Sequence, residues 1–486
     1  MEENNYFEDF KPIRNKLREL NLFDSLEVLR QYALIQNSGP LRRRLPNIEQ
    51  GEVNYIMPNE IDFLLASSIV YSSELPCSKK LSQVLTRGKI LSLVKVIEDK
   101  IDSNGMDQNV WLWLNSYLHN QWKQKSGHIF EQVYRYYTIF SQDKISEHIE
   151  SMFGISYKTF VICAFWLYAR LSDKYKENKQ FLLSIKDEDS PFYYLNMQKT
   201  ISILSLSLYD LKERLKASAR YDHNIFNYHN SPHLVYPIID YGEHLYCPVP
   251  QYLLKQLTAG IYYIADIPNA NLQKSFGDGF EKYIGEILQC YNKNGFTVLP
   301  EIIYNRKQNK SSDWVVMDQN SIIFIECKTK RLRCESKELL SITDELEKDI
   351  QDISNGVFQL YKVYEDYKND KISGLLYDSG FTFIPILLTL EDWFAGSPSF
   401  DEKISSNVRE KLILEKIDLE AFDKFKYRII SASSFERDFQ IMASEGIGNY
   451  FKMVKEGKID ENYLHDFKFS NHFVDRFESD FILPYQ

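Results

Sequence analysis

The sequence predicts a mixed α/β protein: a small mixed sheet flanked by helices, with a large all-α N-terminal region before it and a helical C-terminal tail after it. Three observations carry this. Apolar residues recur at near-helical spacing from about Tyr6 to Ala217, beginning with Leu17, Leu20, Leu22, Leu26, Leu29, Tyr32 and Leu34. Short runs rich in β-branched and aromatic residues, bounded by turn residues, gather between 296 and 390. From 272 onward such runs and helical patterns follow the order helix, strand, strand, strand, helix, strand, which suits a single sheet layer between helices.

A chain of 486 residues has room for roughly two to four domains and a sizeable core. The expected divisions are 1–220 (helical), 221–270 (linker and short hairpin), 271–400 (α/β core) and 401–486 (helical). Hydrophobic content of 44% and charged content of 26% are ordinary for a globular chain, and the 14% aromatic share comes from Tyr and Phe. A net charge of −10 argues against indiscriminate binding of polyanions but leaves room for a local basic groove. The cysteines at 77, 163, 247, 290, 327 and 334 form no CxxC pair, so neither a zinc framework nor a disulfide lattice is expected. The start MEENNYFEDF lacks the apolar core of a secretory signal. The longest apolar run, Phe160 to Ala169, is about half of a bilayer span. A cytoplasmic protein with no membrane partner is the expectation.

In the first region, Pro58-Asn59-Glu60 signals a helix start, Leu81 to Ile101 reads as one helix, and Trp111 to Leu118 opens an aromatic one. Phe130, Val133, Tyr134 and Tyr137 continue that theme. Gly154-Ile155-Ser156 is a stop followed by an N-cap, opening an apolar helix from Thr159 to Leu171. Arg42-Arg43-Arg44 reads as an exposed basic turn. Tyr221 to His244 carries His223, His229, His233 and His244, but Pro232 breaks the helical spacing a metal pair would use, so a polar interdomain linker is expected. Leu234 to Asp240 and His244 to Pro248 read as a short hairpin, and Pro250 to Ile264 as a helix. In the core, Leu272 to Tyr291 is a helix, Phe296 to Tyr304 a strand, Lys337 to Tyr367 a charged stretch becoming a helix, and Thr382 to Leu390 a buried strand.

The most informative stretch is Ser311 to Arg333, SSDWVVMDQNSIIFIECKTKRLR. Asp313 to Met317 and Ser321 to Lys328 read as strands with Asp318-Gln319-Asn320-Ser321 turning between them. With Gln319-Asn320 as the loop, Asp318 pairs with Ser321 and Asp313 falls opposite Glu326. Opposed residues of an antiparallel pair have β-carbons about 4.5–5.5 Å apart on one face. Carboxylates that close repel unless something positive lies between them. A hard divalent cation suits such oxygen ligands. Lys328 lies on the same face, two residues on.

These residues resemble the PD-(D/E)XK phosphodiesterase superfamily, the restriction-endonuclease-like nucleases, over roughly residues 273–390. Asp313 matches the motif aspartate, Glu326 the second acid and Lys328 the lysine; Ser312 stands where the family name has proline. Glu281 fits the upstream helical glutamate, and Gln359 resembles a glutamine found on the helix after the lysine.

The resemblance implies an α/β nuclease core and a metal-dependent nuclease hydrolysing phosphodiester bonds, with DNA favoured over RNA. Mg²⁺ or Mn²⁺ would be held by Asp313, Glu326 and the backbone carbonyl of Cys327. Glu281 and Gln359 would assist, and Lys328 would orient the attacking water. Lys310, Lys330, Arg331 and Arg333 would contact the nucleic acid, with Arg306 and Lys307 nearby. The helical N-terminal region would recognise a target, bind a protein partner or form a homo-oligomer. Such chains resemble restriction and phage-defence enzymes. Competing expectations are a non-catalytic nucleic-acid-binding or scaffold protein on the same frame, and an RNA-directed nuclease.

Overall fold

The leucine spacing at the start of the chain does produce helices. The computed structural model describes residues 7–37, 57–77, 79–85, 90–96, 99, 129–218, 231–331, 344–393 and 398–482. Within these, α1 (Phe7–Leu17) and α2 (Leu22–Asn37) bury Leu17, Leu22, Leu26, Leu29 and Tyr32. Helix α3 (Pro58–Tyr71) begins as expected: Pro58 needs no N–H there, and Glu60 accepts the Met57 N–H at 2.6 Å. The single helix expected over Leu81 to Ile101 is instead broken. Helix α4 (Leu81–Val84) stops where Leu85 leaves helical geometry (ψ 45), and among the described residues helix resumes at 91. The aromatic stretch at 111–118 and the turn Arg42–Arg44 lie outside the described residues.

Helices α5 (Ile129–Phe140), α6 (Asp143–Phe153) and α7 (Tyr157–Asp173) follow. Gly154 ends α6 at φ 68, and Ser156 Oγ accepts the Thr159 N–H at 3.2 Å to open α7, the stop and cap read from the sequence. Next come β1 (Lys176–Asn178), α8 (Tyr194–Leu204), β2 (Ser205–Ser207), α9 (Leu208–Ser218), β3 (Ile238–Tyr241) and β4 (His244–Tyr246). The four strands form one sheet in the order β1-β4-β3-β2. The N-terminal region is therefore not all-α. Strands of three residues are too short to show alternation, which is why β1 and β2 read as helical surroundings.

The segment expected as a linker is built into this sheet. Leu234 and Val235 sit in a helical turn, Pro232–Val235, and the hairpin itself is β3–β4. Buried His233 bonds Ser231 at 2.7 Å and lies near Asp62, a packed core histidine; His223 and His229 lie outside the described residues. The helical stretch Gln251–Ile264 is interrupted at Thr258, whose φ −122 and ψ −107 are not helical.

The core elements are α10 (Gln273–Cys290), β5 (Thr297–Pro300), β6 (Ile303–Tyr304), β7 (Asn309–Lys310), β8 (Trp314–Met317), β9 (Ser321–Lys328), α11 (Asp344–Lys368) and β10 (Thr382–Thr389). They are followed by α12 (Pro398–Leu414), β11 (Arg428–Ser431), α13 (Ala432–Glu445) and α14 (His472–Phe477). A five-stranded sheet runs β11-β10-β9-β8-β5. Strands β5, β8 and β9 pair antiparallel, while β9, β10 and β11 pair parallel. The expected strand from Phe296 to Tyr304 is two pieces, because β6 leaves the sheet to pair with β7. The tail is not purely helical either: β11 forms an edge of the main sheet, so a division at 400 cuts through it.

Both faces of this sheet are covered. Val316, Ile323, Ile325, Ile384, Ile386 and Leu388 face a core shared with α5, α7, α10 and α13. Val315, Ile322, Phe324, Phe383 and Leu387 face α11 and α12. Helices α1–α3 pack with α9 and parts of the four-stranded sheet in a separate cluster. Among the described residues no single helix is long and apolar enough to cross a membrane.

Candidate active site

The site begins with a register. Strand β8 pairs with β9 as Trp314–Ile325, Val315–Phe324, Val316–Ile323 and Met317–Ile322, and the Asp318 N–H meets the Ser321 carbonyl at 3.1 Å. One step past Trp314–Ile325 therefore sets Asp313 against Glu326, the pairing read from the sequence. The turn enforces it, since Asp318 Oδ1 accepts the N–H groups of Asn320 and Ser321 at 2.9 and 2.8 Å. Where the ladder ends, Asp313 Oδ2 takes the Cys327 N–H at 2.6 Å. Lys328 of β9 bonds its carbonyl to Leu390, so even-numbered residues turn their backbone groups toward β10 and Cys327 turns its own toward β8. The Cys327 carbonyl thus points to the side that Asp313 occupies.

Even-numbered side chains of β9 face α11. Glu326, nearly buried, accepts from Lys328 Nζ at 2.7 Å. The lysine stem runs beside Gly356 of α11, where an added β-carbon would stand 3.2 Å from Lys328 Cε and 2.6 Å from Leu387 Cδ1. Gly356 is therefore the groove in which the lysine lies. Gly356→Ala is expected to displace Lys328 and cut any activity of this site by about tenfold or more, while the acids remain; turnover measured beside a melting curve checks it. Gln359 lies one turn further along α11 and is exposed.

Glu281 reaches the site from α10. The Trp314 indole packs where Gly285 has no side chain, 2.5 Å from a would-be β-carbon, and its Nε1 donates to the Glu281 carbonyl at 3.2 Å. This close approach fixes α10 against β8. Burial pushes the Glu281 carboxyl up to about 7, helped by the charges of Asp313, Asp278 and Glu301. Burial and then Glu326 push Asp313 up to about 7, against the pull of the Cys327 N–H and Lys328. Burial raises Glu326 as well, with Lys328 opposing. Burial pulls Lys328 down, but the charge and hydrogen bond of Glu326 outweigh it.

One further acid belongs here. Strand β5 pairs with β8 up to Pro300–Trp314, so the next step places Glu301 beside Asp313. The register shifts by one residue before Ile303–Lys310, a bulge of the kind that re-aims side chains at sites. Glu301 bonds Lys310 Nζ at 2.9 Å. Glu301, Asp313 and Glu326 thus form a row across neighbouring strands, with Glu281 alongside. The signal for Glu301 was an acid inside a run that otherwise reads as strand.

The expected nucleic-acid contacts divide. Lys310 pairs with Glu301 and Lys330 with Asp352 of α11 at 2.6 Å. Arg331 is a correction: it turns inward, 7% exposed, and is not available to a ligand. Its guanidinium lies 4.2 Å over the Tyr262 ring, donates to the Tyr136 hydroxyl and the Ala259 carbonyl, and pairs with Glu391 at 3.2 Å. Held by these groups, it ties the end of β9 to α5. Arg333 lies outside the described residues.

The donor set is all oxygen, which suits Mg²⁺ or Mn²⁺. Among the described residues no three His, Cys, Asp or Glu side chains are drawn together tightly enough to ligate one ion as they stand. Asp313 and Glu326 instead turn to the Cys327 N–H and to Lys328. Burial first, and the charge of neighbouring acids second, raises the Glu281 and Asp313 carboxyls, and a cation would relieve that excess of negative charge. No protein-family model, curated protein or solved structure matches the chain.

That excess has a cost. Because Asp313 binds its proton more tightly folded than unfolded, its contribution is neutral at low pH and becomes unfavourable as pH rises from about 4 to about 7. Asp313→Asn is expected to stabilise the cation-free protein by about 1–2 kcal/mol at pH 8, with the difference vanishing near pH 4. Thermal melts in chelator at both pH values check the sign.

Proposed function

We propose that the chain is a metal-dependent nuclease that hydrolyses phosphodiester bonds of nucleic acid, DNA in preference to RNA. The observation that carries the reading is the meeting of Asp313 and Glu326 across β8–β9, with Lys328 bonded to Glu326 and Glu281 approaching from α10. The sheet around them, antiparallel on one side and parallel on the other, supports the PD-(D/E)XK resemblance.

Asp313, Glu326 and the Cys327 carbonyl would hold Mg²⁺ or Mn²⁺, with Glu281 contributing beside them. When bound, the ion would lower the pKa of water and neutralise phosphoryl oxygens. Lys328 is kept charged by Glu326 and held in place by the groove at Gly356. Its ammonium would orient the attacking water and offset charge gathering on the phosphate. Gln359 would contact substrate at the exposed rim. Restriction or phage defence would suit such an enzyme.

A second reading is a binding protein on the same frame. The closed Glu326–Lys328 pair favours it, since both charges are already answered. Digestion of duplex DNA, single-stranded DNA and RNA with Mg²⁺ or Mn²⁺, against a chelator control, separates the two. Cutting supports the nuclease, whereas binding without cutting under every condition supports the scaffold.

A further inference from the structure

The hairpin β6–β7 stands between β5 and Asp313, and its tip is basic. Around the site most cations are already answered: Lys310 by Glu301, Lys328 by Glu326, Lys330 by Asp352 and Arg331 by Glu391. Arg306 and Lys307 at the tip are exposed and have no ion-pair partner among the described residues. Both are solvated, so on a chain of net charge −10 they are cations left available to an anion from outside.

The tip is stiff. Asn305 and Gln308 hold φ values of 58 and 52, and Asn305 Oδ1 accepts the N–H groups of Lys307 and Asn309 at 2.9 and 3.4 Å. The root is fixed on both sides. Buried Tyr304 donates its hydroxyl to Asp366 of α11 at 2.7 Å, and Ser311 Oγ accepts the Ile302 N–H at 2.8 Å. Little backbone entropy remains to be lost on binding.

We infer that this hairpin is an arm that grips the backbone of duplex DNA, with Arg306 and Lys307 each contacting a phosphate on the stretch that flanks the bond that is cut. The inference rests on the nuclease reading and names the contact that reading lacked once Arg331 is buried. From Lys307 to Asp313 the chain can span at most about 20 Å at about 3.3 Å per residue. A duplex turns once in about 34 Å, so with side-chain reach added the contacted phosphates lie within about one turn of the scissile one. A stiff arm suits a stiff duplex, whose phosphates stand at fixed positions; a single strand would first have to be ordered. Phosphate contacts carry no base information, so the arm adds affinity without sequence preference.

The test is binding of the full chain to labelled duplex DNA, single-stranded DNA and RNA in chelator, across a salt series, with cleavage measured separately in Mg²⁺. Arg306→Ala/Lys307→Ala is expected to weaken duplex binding on the order of tenfold at low salt and to flatten the log–log salt slope by about 1.8. Arg306→Glu/Lys307→Glu should weaken it further, and both should melt like the parent. If the parent binds and cuts DNA while the double variant keeps its slope, the arm is wrong and the nuclease reading stands. Loss confined to RNA overturns duplex DNA as the partner. A parent that neither binds nor cuts any nucleic acid overturns both.

Discussion

Asp313→Ala and Lys328→Ala are each expected to reduce divalent-dependent cleavage on the order of 10³-fold or more, for different reasons. Asp313 stands where β8 ends, accepting the Cys327 N–H and facing Glu326. Removing it takes away a proposed oxygen ligand and should also remove binding of Mn²⁺ measured by calorimetry. Lys328 touches no proposed ligand except Glu326. Its loss should leave Mn²⁺ binding largely intact while turnover fails, because the acids remain and only the positioned ammonium is gone. Lys328→Ala also strands Glu326, nearly buried, so a drop in melting temperature at neutral pH that Mn²⁺ partly restores is part of the same expectation. Undiminished cleavage by Asp313→Ala would place the chemistry elsewhere.

The β8–β9 part of this site was legible because its determinants are local. Asp318 fixes its own turn, the turn fixes the register, and the register brings Asp313 to Glu326. Glu281 was reached through resemblance, and the reason it arrives is a contact no spacing reveals, Trp314 against Gly285 of α10. Glu301 was passed over because its run read as one strand; only a bulge, visible from pairing partners on β8, separates β5 from β6. Arg331 looked like a solvated strand end because nothing in its neighbourhood reveals Tyr136, Tyr262 or Glu391, all distant in sequence. Strands β1, β2 and β11, of three or four residues, hold at most two alternation periods each and owe their conformation to partners.

The division between a recognition region and a catalytic core was also drawn from local texture, and a buried polar cluster contradicts it. Arg135 of α5 donates to Glu436 of α13 at 2.8 Å and to Ser433 at 3.1 Å, while Tyr283 of α10 donates to the same Glu436 oxygen at 2.8 Å. Arg135 and Glu436 side chains are 4% and 8% exposed, and the partners lie 301 residues apart in sequence. These bonds join α5 to α10, the helix that carries Glu281. Arg135→Ala is therefore expected to cost about 3–5 kcal/mol, because it leaves Glu436 buried with its charge unanswered. The melting temperature should fall on the order of 5–10 °C. Arg135→Met with Glu436→Gln removes both charges together and keeps an acceptor for Tyr283, so it should recover most of that loss. A single variant as stable as the parent would mean that α5 is not held through this pair. A double variant as weak as the single would assign the cost to lost packing instead of to the stranded carboxylate. If the pair does hold α5, cleavage by Arg135→Ala should decline together with the folded fraction, since α5 braces α10, which the Trp314–Gly285 contact sets at the acids.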